Sequence, residues 1–377
     1  MALYKTLVNK ISIPADKKTK QKEYLAKGKL AIVDQGQELI GGYSDDIEKT
    51  ILCDLPVIVF GDHTRAVKYI NFKFGAGADG IKILKPKDGV LPKYLYYGTI
   101  YLTIKMPDRG YARHYQHVEK MDLPLPPLEE QRRIVSEIEK LISTLDDGVA
   151  TLEKTREQLK VYRQAVLKEA FDSVPNIEAQ PLENYLKSIE GGKSFKCVEI
   201  PPNKDEYGII KVSAVTWGIF NEDESKTCKP EQFVEEKRIR VGDFLFGRAN
   251  TLQLIGNCVI VKKLTKNLMM CDKVFRFDFE DTLLPEYLLY FLRSKNGKQQ
   301  IQLLSTGNQE SMRNIGQDRI KKIKISVPSL KIQRQIVDKI EGKLSVCDSI
   351  EASVDKALEE AEAMRQSILK QAFEGKL

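Results

Sequence analysis

The chain has 377 residues and a formal net charge of +7, enough length for two or three domains that each bury a core. No apolar run approaches the roughly 20 residues of a membrane span, and Met1-Ala2-Leu3-Tyr4-Lys5 lacks the apolar stretch of a secretion signal, which predicts a cytoplasmic protein with no membrane partner. The six cysteines (53, 197, 228, 258, 271 and 347) never fall at C-x-x-C spacing, which fits reduced thiols better than a disulfide frame or a zinc site.

Residues 1–122 carry 20 Lys and Arg against 14 Asp and Glu, a basic excess that favours a polyanionic partner. Runs such as 55–60 are β-rich, and Pro92-Lys93-Tyr94-Leu95-Tyr96-Tyr97 opens a short helix, so a compact, mixed, β-rich domain is expected. Two loops combine donors and aromatics as a DNA-reading surface requires. One holds His63, Thr64 and Arg65; the other holds Arg109, Tyr111, Arg113 and His114. Arg forks onto guanine, Asn or Gln onto adenine, and Ser, Thr and Lys hold phosphates. Gly75-Ala76-Gly77-Ala78-Asp79-Gly80 lacks both GxGxxG spacing and a following GK[ST], and reads as a turn between strands. His114 and His117 have no third ligand nearby, and three histidines in all form no nucleophile–base pair, so no metal and no catalytic residue is predicted.

The next region, 123–174, reads as one long helix. Pro126 and Pro127 suit its start, and only Gly148 interrupts it before Pro175. Apolar residues recur in strict sevens at Ile138, Leu145, Leu152, Leu159 and Val166, with a second row at Val135, Ile142 and Val149 that breaks at Arg156. Such heptad seams bury themselves against another helix. About 44 residues would make a rod on the order of 65 Å long.

Residues 175–324 are expected to form a second recognition domain of the same kind. Phe246-Gly247 answers Phe60-Gly61, and Pro285-Glu286-Tyr287-Leu288 answers Pro92-Lys93-Tyr94-Leu95. Its candidate DNA-contacting residues are Lys211, Ser213, Thr216 and Trp217; Arg248, Asn250 and Thr251; and Asn308, Gln309, Ser311, Arg313 and Asn314.

Residues 325–377 then repeat the first helix. Positions 123–171 align with 325–373 at a constant offset of 202, with 19 identities in 49 positions, and the seam recurs at Ile340, Cys347, Val354, Ala361 and Ile368. A period this long means two large units, not a solenoid. The predicted architecture is α+β: two similar β-rich recognition domains, each followed by a long helix, the helices pairing as an antiparallel coiled coil with pseudo-two-fold symmetry. The strings shared by the two helices suggest docking positions for another subunit at Gln131, Arg132, Arg163, Gln164 and Phe171, and at Gln333, Arg334, Arg365, Gln366 and Phe373.

P-L-P-P-L-E-E-Q-R-R-I-V at 124–135, with its repeat S-V-P-S-L-K-I-Q-R-Q-I-V at 326–337, resembles the specificity subunit of type I restriction-modification systems. The endings AVLKEAF and SILKQAFEGKL and the stretches GDHTR, GADGIKIL and GNQESMRNIGQDRIKKI are similar as well, in the same order along the chain. The resemblance implies a subunit with no catalysis and no cofactor of its own. Each recognition domain would read one half of a bipartite double-stranded DNA sequence, and the helices would set the spacing. Two modification subunits would bind S-adenosylmethionine and methylate a flipped adenine in each half-site. Two restriction subunits can join, using ATP and Mg²⁺. The alternative is a coiled-coil scaffold that binds proteins without sequence-specific DNA binding; steep salt dependence of DNA affinity separates the two.

Overall fold

The computed structural model describes residues 1–77, 80–107, 110, 112–174 and 177–377. The chain divides into two units, Met1–Lys154 with Val354–Leu377, and Thr155–Ser353. Five helices organise them: α1 (Pro92–Lys105), α2 (Leu128–Asp172), α3 (Pro285–Arg293), α4 (Lys295–Leu304) and α5 (Leu330–Phe373). Both boundaries between the units cut through α2 and α5, so each unit contains one β-rich domain and a portion of each long helix.

In the first unit, Val8–Ile11, Ile81–Pro86, Val57–Gly61 and Val67–Ile70 form an antiparallel sheet in that spatial order. Val57–Gly61 is buried throughout and reads as a continuous apolar run, as a central strand covered on both faces should. A second sheet sets Lys18–Thr19 and Leu30–Val33 parallel to Phe74–Gly77, with Gly42–Ser44 antiparallel at its edge. Gly75 and Gly77, expected in a turn, lie inside this strand. A Cβ on Gly75 would come within 2.7 Å of the Ile32 side chain, so the glycine permits close packing there.

The second unit builds the same scheme from different residues. Leu186–Gly191, Val274–Phe279, Phe244–Gly247 and Cys258–Ile260 form the antiparallel sheet. Tyr207–Ile210 pairs parallel with Asn267–Met269 and antiparallel with Ser225–Cys228. Short tie strands repeat too: Ala2–Leu3 pairs with Asp122–Leu123, and Gln180–Pro181 with Lys324–Ile325.

Proline at the first position of α1 and of α3 starts both helices where a missing N–H costs nothing. Each is buried on the side facing its sheet and the long helices. In the first unit, Tyr94, Leu95, Tyr101 and Leu102 share a core with Ile134, Val135 and Ile138 of α2 and Leu369, Ala372 and Phe373 of α5. In the second, Tyr287, Leu288 and Phe291 share a core with Leu167 and Ala170 of α2 and Ile336, Val337 and Ile340 of α5.

The long helices run antiparallel within each unit. In the first, Arg133 donates to the Leu377 carbonyl at 3.0 Å while Arg365 pairs with Asp146. In the second, Arg163 pairs with Asp348 and Glu351, both at 2.7 Å, and Glu169 with Lys339 and Lys343 at 2.8 and 2.7 Å. As α2 ascends in number, α5 descends. Asp146 and Asp348 are the same position of the repeat, as are Arg365 and Arg163, so one ion pair is made twice with the helices exchanged. Among the described residues, no helix is long and apolar enough to cross a membrane.

Candidate nucleic-acid interface

In the second domain the fold gathers all three predicted segments onto one face. Ala249–Asn250 pairs with Met312–Asn314, which pairs in turn with Thr306–Gln309, so two segments become one small sheet. The third, 211–217, is fastened to it from the side. Asn257 Nδ2 donates to the Thr216 carbonyl at 2.6 Å, and Asn250 Nδ2 to Thr216 Oγ1 at 3.5 Å.

The residues on this face divide by role. Asn308, Gln309, Ser311 and Asn314 are exposed along the ribbon, while Lys211 and Thr251 are half-buried. Trp217 is 73% exposed, and Ile219, two residues further on, is 81% exposed. Arg313 is committed to the ribbon's own base: Nε donates to Ser305 Oγ at 3.1 Å, and the two terminal nitrogens to the Gly307 and Ser305 carbonyls at 2.7 and 2.8 Å. Ser213 donates to Glu224 at 2.6 Å. The Arg248 guanidinium lies over the Phe275 ring, 5.1 Å from its centroid. Thr216, expected to touch DNA, is only 5% exposed, and its hydroxyl donates to the Val212 carbonyl at 2.8 Å. It braces the loop that displays Trp217.

The first domain joins its two loops through Asp62. The Asp62 carbonyl accepts the His114 amide at 2.8 Å and its carboxylate accepts the Tyr115 amide at 2.9 Å. His63 Nδ1 lies 3.1 Å from the Ala112 carbonyl, Thr64 donates to the Gln35 carbonyl, and Arg65, at φ 60°, donates to the Pro107 carbonyl at 3.2 Å. Arg113 is exposed. His114 corrects the expectation: it is 2% exposed, and burial, then the charge of Arg65, lower its pKa, so the imidazole is neutral at pH 7 and enclosed. Arg109 and Tyr111 lie outside the described residues.

The positions expected to dock another subunit are corrected more extensively. Gln131 and Gln333 are fully buried. Gln131 accepts the Leu91 amide and donates to the Gly89 and Pro126 carbonyls; Gln333 accepts the Leu284 amide and donates to those of Thr282 and Pro328, all at 2.8–2.9 Å. Phe373 is buried between Tyr94 and Tyr101, with ring centroids 5.0 and 5.1 Å away, and the half-buried Phe171 meets Tyr287 and Phe291 at 5.3 and 5.6 Å. Arg163 and Arg365 hold the helix pair within their units, and Gln164 reaches the Arg293 carbonyl at 3.4 Å. Arg132, Arg334 and Gln366 remain exposed, Arg132 paired with Glu129.

Two domains that share the order of their four-stranded sheet, each packed on antiparallel helices and presenting polar loops with little sequence in common, make this a duplicated protein. The family model described as the type I restriction modification DNA specificity domain matches residues 9–160 and 189–360, and the chain belongs to that family. It is 30% identical over 276 residues to the type I restriction enzyme EcoKI specificity subunit of Escherichia coli strain K12, a match covering 68% of this chain and 58% of that relative. The matched part is thus just under three fifths of that relative's length. Identity to the EcoR124I/EcoR124II specificity subunit of Escherichia coli is 22% over 371 residues, covering 93% of this chain and 88% of the relative. Among solved structures, a chain from work on assembly and conformational transition of the type I R-M system is similar in fold. It has a TM-score of 0.69 at 17% identity, with 100% of this chain and 97% of that one covered.

Proposed function

We propose that this chain is the DNA-specificity subunit of a type I restriction-modification complex and reads a bipartite duplex sequence, one half with each β-rich domain. The observation that carries the proposal is the duplication of one strand order in two domains whose candidate contact loops differ, since two alike scaffolds with unlike surfaces suit two unlike half-sites. Phosphate contacts position such a protein, and base-edge contacts from Arg, Asn and Gln give it sequence preference. In this reading the chain binds no cofactor and carries out no chemistry. Two modification subunits supply S-adenosylmethionine-dependent adenine methylation, and where two restriction subunits join they add ATP- and Mg²⁺-dependent cleavage. The paired helices set the half-site separation, and their exposed positions, Arg132, Arg334 and Gln366 among them, remain open to partner subunits.

The test is a genome-wide map of N6-methyladenine in cells with and without the gene, in the presence of its partner subunits. Loss of one split motif on deletion supports the proposal and supplies the sequence read. An unchanged map in cells that express the chain and its partners sinks it.

A further inference from the structure

The second unit contains a cleft that composition and spacing did not single out. It encloses about 680 Å³ between the Thr216–Gly218 loop, Asn257 and the residues from Arg293 through α4 to Gln302. Among the described residues, four cations line it, Arg163, Arg293, Lys295 and Lys298, and no carboxylate does.

The charge of Arg163 is matched by Asp348 and Glu351. The other three lack such a match. Arg293 donates to the Gly218 and Cys258 carbonyls at 2.6 and 2.8 Å. Lys298 donates to the Ile255 carbonyl at 2.9 Å and to Asn257 Oδ1 at 2.6 Å. Neutral oxygens fix these side chains in place but leave their charge standing. Lys295 is exposed at the cleft's edge. Burial pushes the Lys298 ammonium down to about 8, the response of a cation that lacks a counter-charge.

The surroundings favour a chain of phosphates over a single small anion. An adjoining groove of about 780 Å³ shares Gly218, Tyr290 and Arg293 with the cleft and runs on to Trp217, Lys262 and Lys263. Two of its three carboxylates, Asp348 and Glu351, are matched by Arg163; the third, Glu341, accepts the Tyr290 hydroxyl at 3.1 Å and keeps its charge, so Arg293, Lys262 and Lys263 outnumber the unmatched carboxylates. Cations are thus strung along two connected depressions, with an exposed aromatic and the amides of Gln253, Gln299 and Gln302 at hand. A charged track edged by an aromatic ring is the form that nucleic-acid backbones require.

We propose that this cleft seats backbone phosphates of the duplex read by the second domain, a site that rests on the specificity reading and adds the positioning surface to it. Arg293 and Lys298 would hold one phosphate from below, and Lys295 the next along the strand. Such contacts carry no sequence information. Their loss should weaken specific and non-specific binding alike.

Trp217 is the single tryptophan of the chain, so its fluorescence reports on this face alone. The experiment titrates the full-length chain with two duplexes, one carrying a sequence selected from a random library and one scrambled, over a series of NaCl concentrations. K295Q, K298Q and the double variant are compared with wild type, and inorganic pyrophosphate is titrated separately. The Lys295 side chain makes no hydrogen bond or ion pair among the described residues and is exposed, so K295Q leaves the fold intact even where K298Q does not. The expected result is a loss of about five- to tenfold per variant on both duplexes, with the salt slope falling by about 0.9 for each phosphate contact removed. Unchanged affinity and slope in K295Q and the double variant, while wild type still selects its sequence, would overturn the cleft and leave the specificity reading intact. Saturation by pyrophosphate with no effect of the variants on duplex binding would overturn it also, in favour of a small-anion site. A wild-type chain that prefers no sequence but loses salt-dependent binding in K295Q would uphold the cleft and remove the specificity reading.

Discussion

Gln131 accepts the backbone amide of Leu91 at 2.8 Å, so that a side chain of α2 caps the residue from which α1 departs. Gln333 makes the same bond to Leu284 ahead of α3, also at 2.8 Å. Each glutamine spends its remaining amide hydrogens on two carbonyls, one of them in the turn before its own helix. One buried amide therefore fixes the angle at which a long helix leaves its domain. Q131L and Q333L should each cost roughly 2–4 kcal/mol, because the orphaned amide and carbonyls stay buried. Urea unfolding followed by hydrogen exchange would check this. Q131L should lower protection around Gly89–Pro92 and Q333L around Thr282–Pro285, and equal loss at both places in both variants would contradict the assignment.

Gly98 of α1 faces Phe373 of α5 across very little space. A Cβ there would lie 2.7 Å from the Leu123 side chain and 3.2 Å from the Phe373 ring. Alanine is ordinarily the better helix former by about 1 kcal/mol, but forcing a methyl group into a filled core costs typically 1–3 kcal/mol. Both neighbours are buried and cannot retreat. G98A should therefore destabilise the first unit despite its helical preference, and F373A should do so by about 3–5 kcal/mol through the void it leaves. A G98A variant that melts above wild type would contradict the tight contact of Gly98 with Leu123 and Phe373.

Lys298 makes stability depend on pH in an unusual direction. Its folded value is pushed down to about 8 by burial, from an ordinary value near 10.5. Between those limits the unfolded chain binds more protons than the folded one, so stability rises as pH rises through the window. Below pH 8 both states are protonated and the penalty for burying the charge is present in full. Burial is what lowers it, and the neighbouring Cys258 thiol pulls weakly the other way, while Arg163 of the same cleft is neutralised by its two carboxylates. Thermal melts of wild type and K298M from pH 7 to pH 10 should therefore diverge, with wild type gaining on the variant as pH increases. Parallel curves would mean that Lys298 titrates normally.

The ruler reading makes a geometric prediction. Four residues, about one helical turn, inserted in both long helices at the equivalent positions Leu152 and Val354, lengthen the two helices alike. Sites methylated in cells carrying this variant should have a longer non-specific spacer and unchanged half-sites. Methylation at the original spacing by a normally assembled variant would contradict the ruler.

Much of the architecture was legible because the signals were periodic. A seven-residue row over five turns of the repeat has few structural solutions, and Ile138, Val166, Ile340, Cys347 and Val354 are buried as that row requires. The domains were harder, since strands of three to six residues leave weak patterns, yet the matched landmarks did mark matched folds. The misreading lay in what a shared residue means. Their presence in both copies suggests an outward face for Gln131 and Gln333, although each stands seven residues before a seam position, Ile138 or Ile340, in the same row. Heptad phase placed them inside. Repetition alone could not distinguish a common external partner from a common internal fit. The candidate contact loops were legible as polar and aromatic segments, but not residue by residue. Whether Thr216 or Trp217 points outward depends on a turn held by Asn250 and Asn257 from distant parts of the sequence. Arg293, Lys295 and Lys298 stand close together in the sequence without any pattern that marks a site, and only the fold gives them a cleft.

The burial of Phe373 between Tyr94 and Tyr101 bears on how the molecule is made. The second unit is one uninterrupted stretch, Thr155–Ser353, whereas the first needs Val354–Leu377 to finish a core that Tyr4 and Leu7 begin. On a ribosome, the domain synthesised first must wait with an open apolar slot while the domain synthesised second becomes complete. Closing that slot joins residues almost 280 positions apart, a contact of the kind that forms late and slowly. The first domain to leave the ribosome is thus the last to be sealed, and until then it is the half of the molecule most exposed to aggregation and most dependent on chaperones.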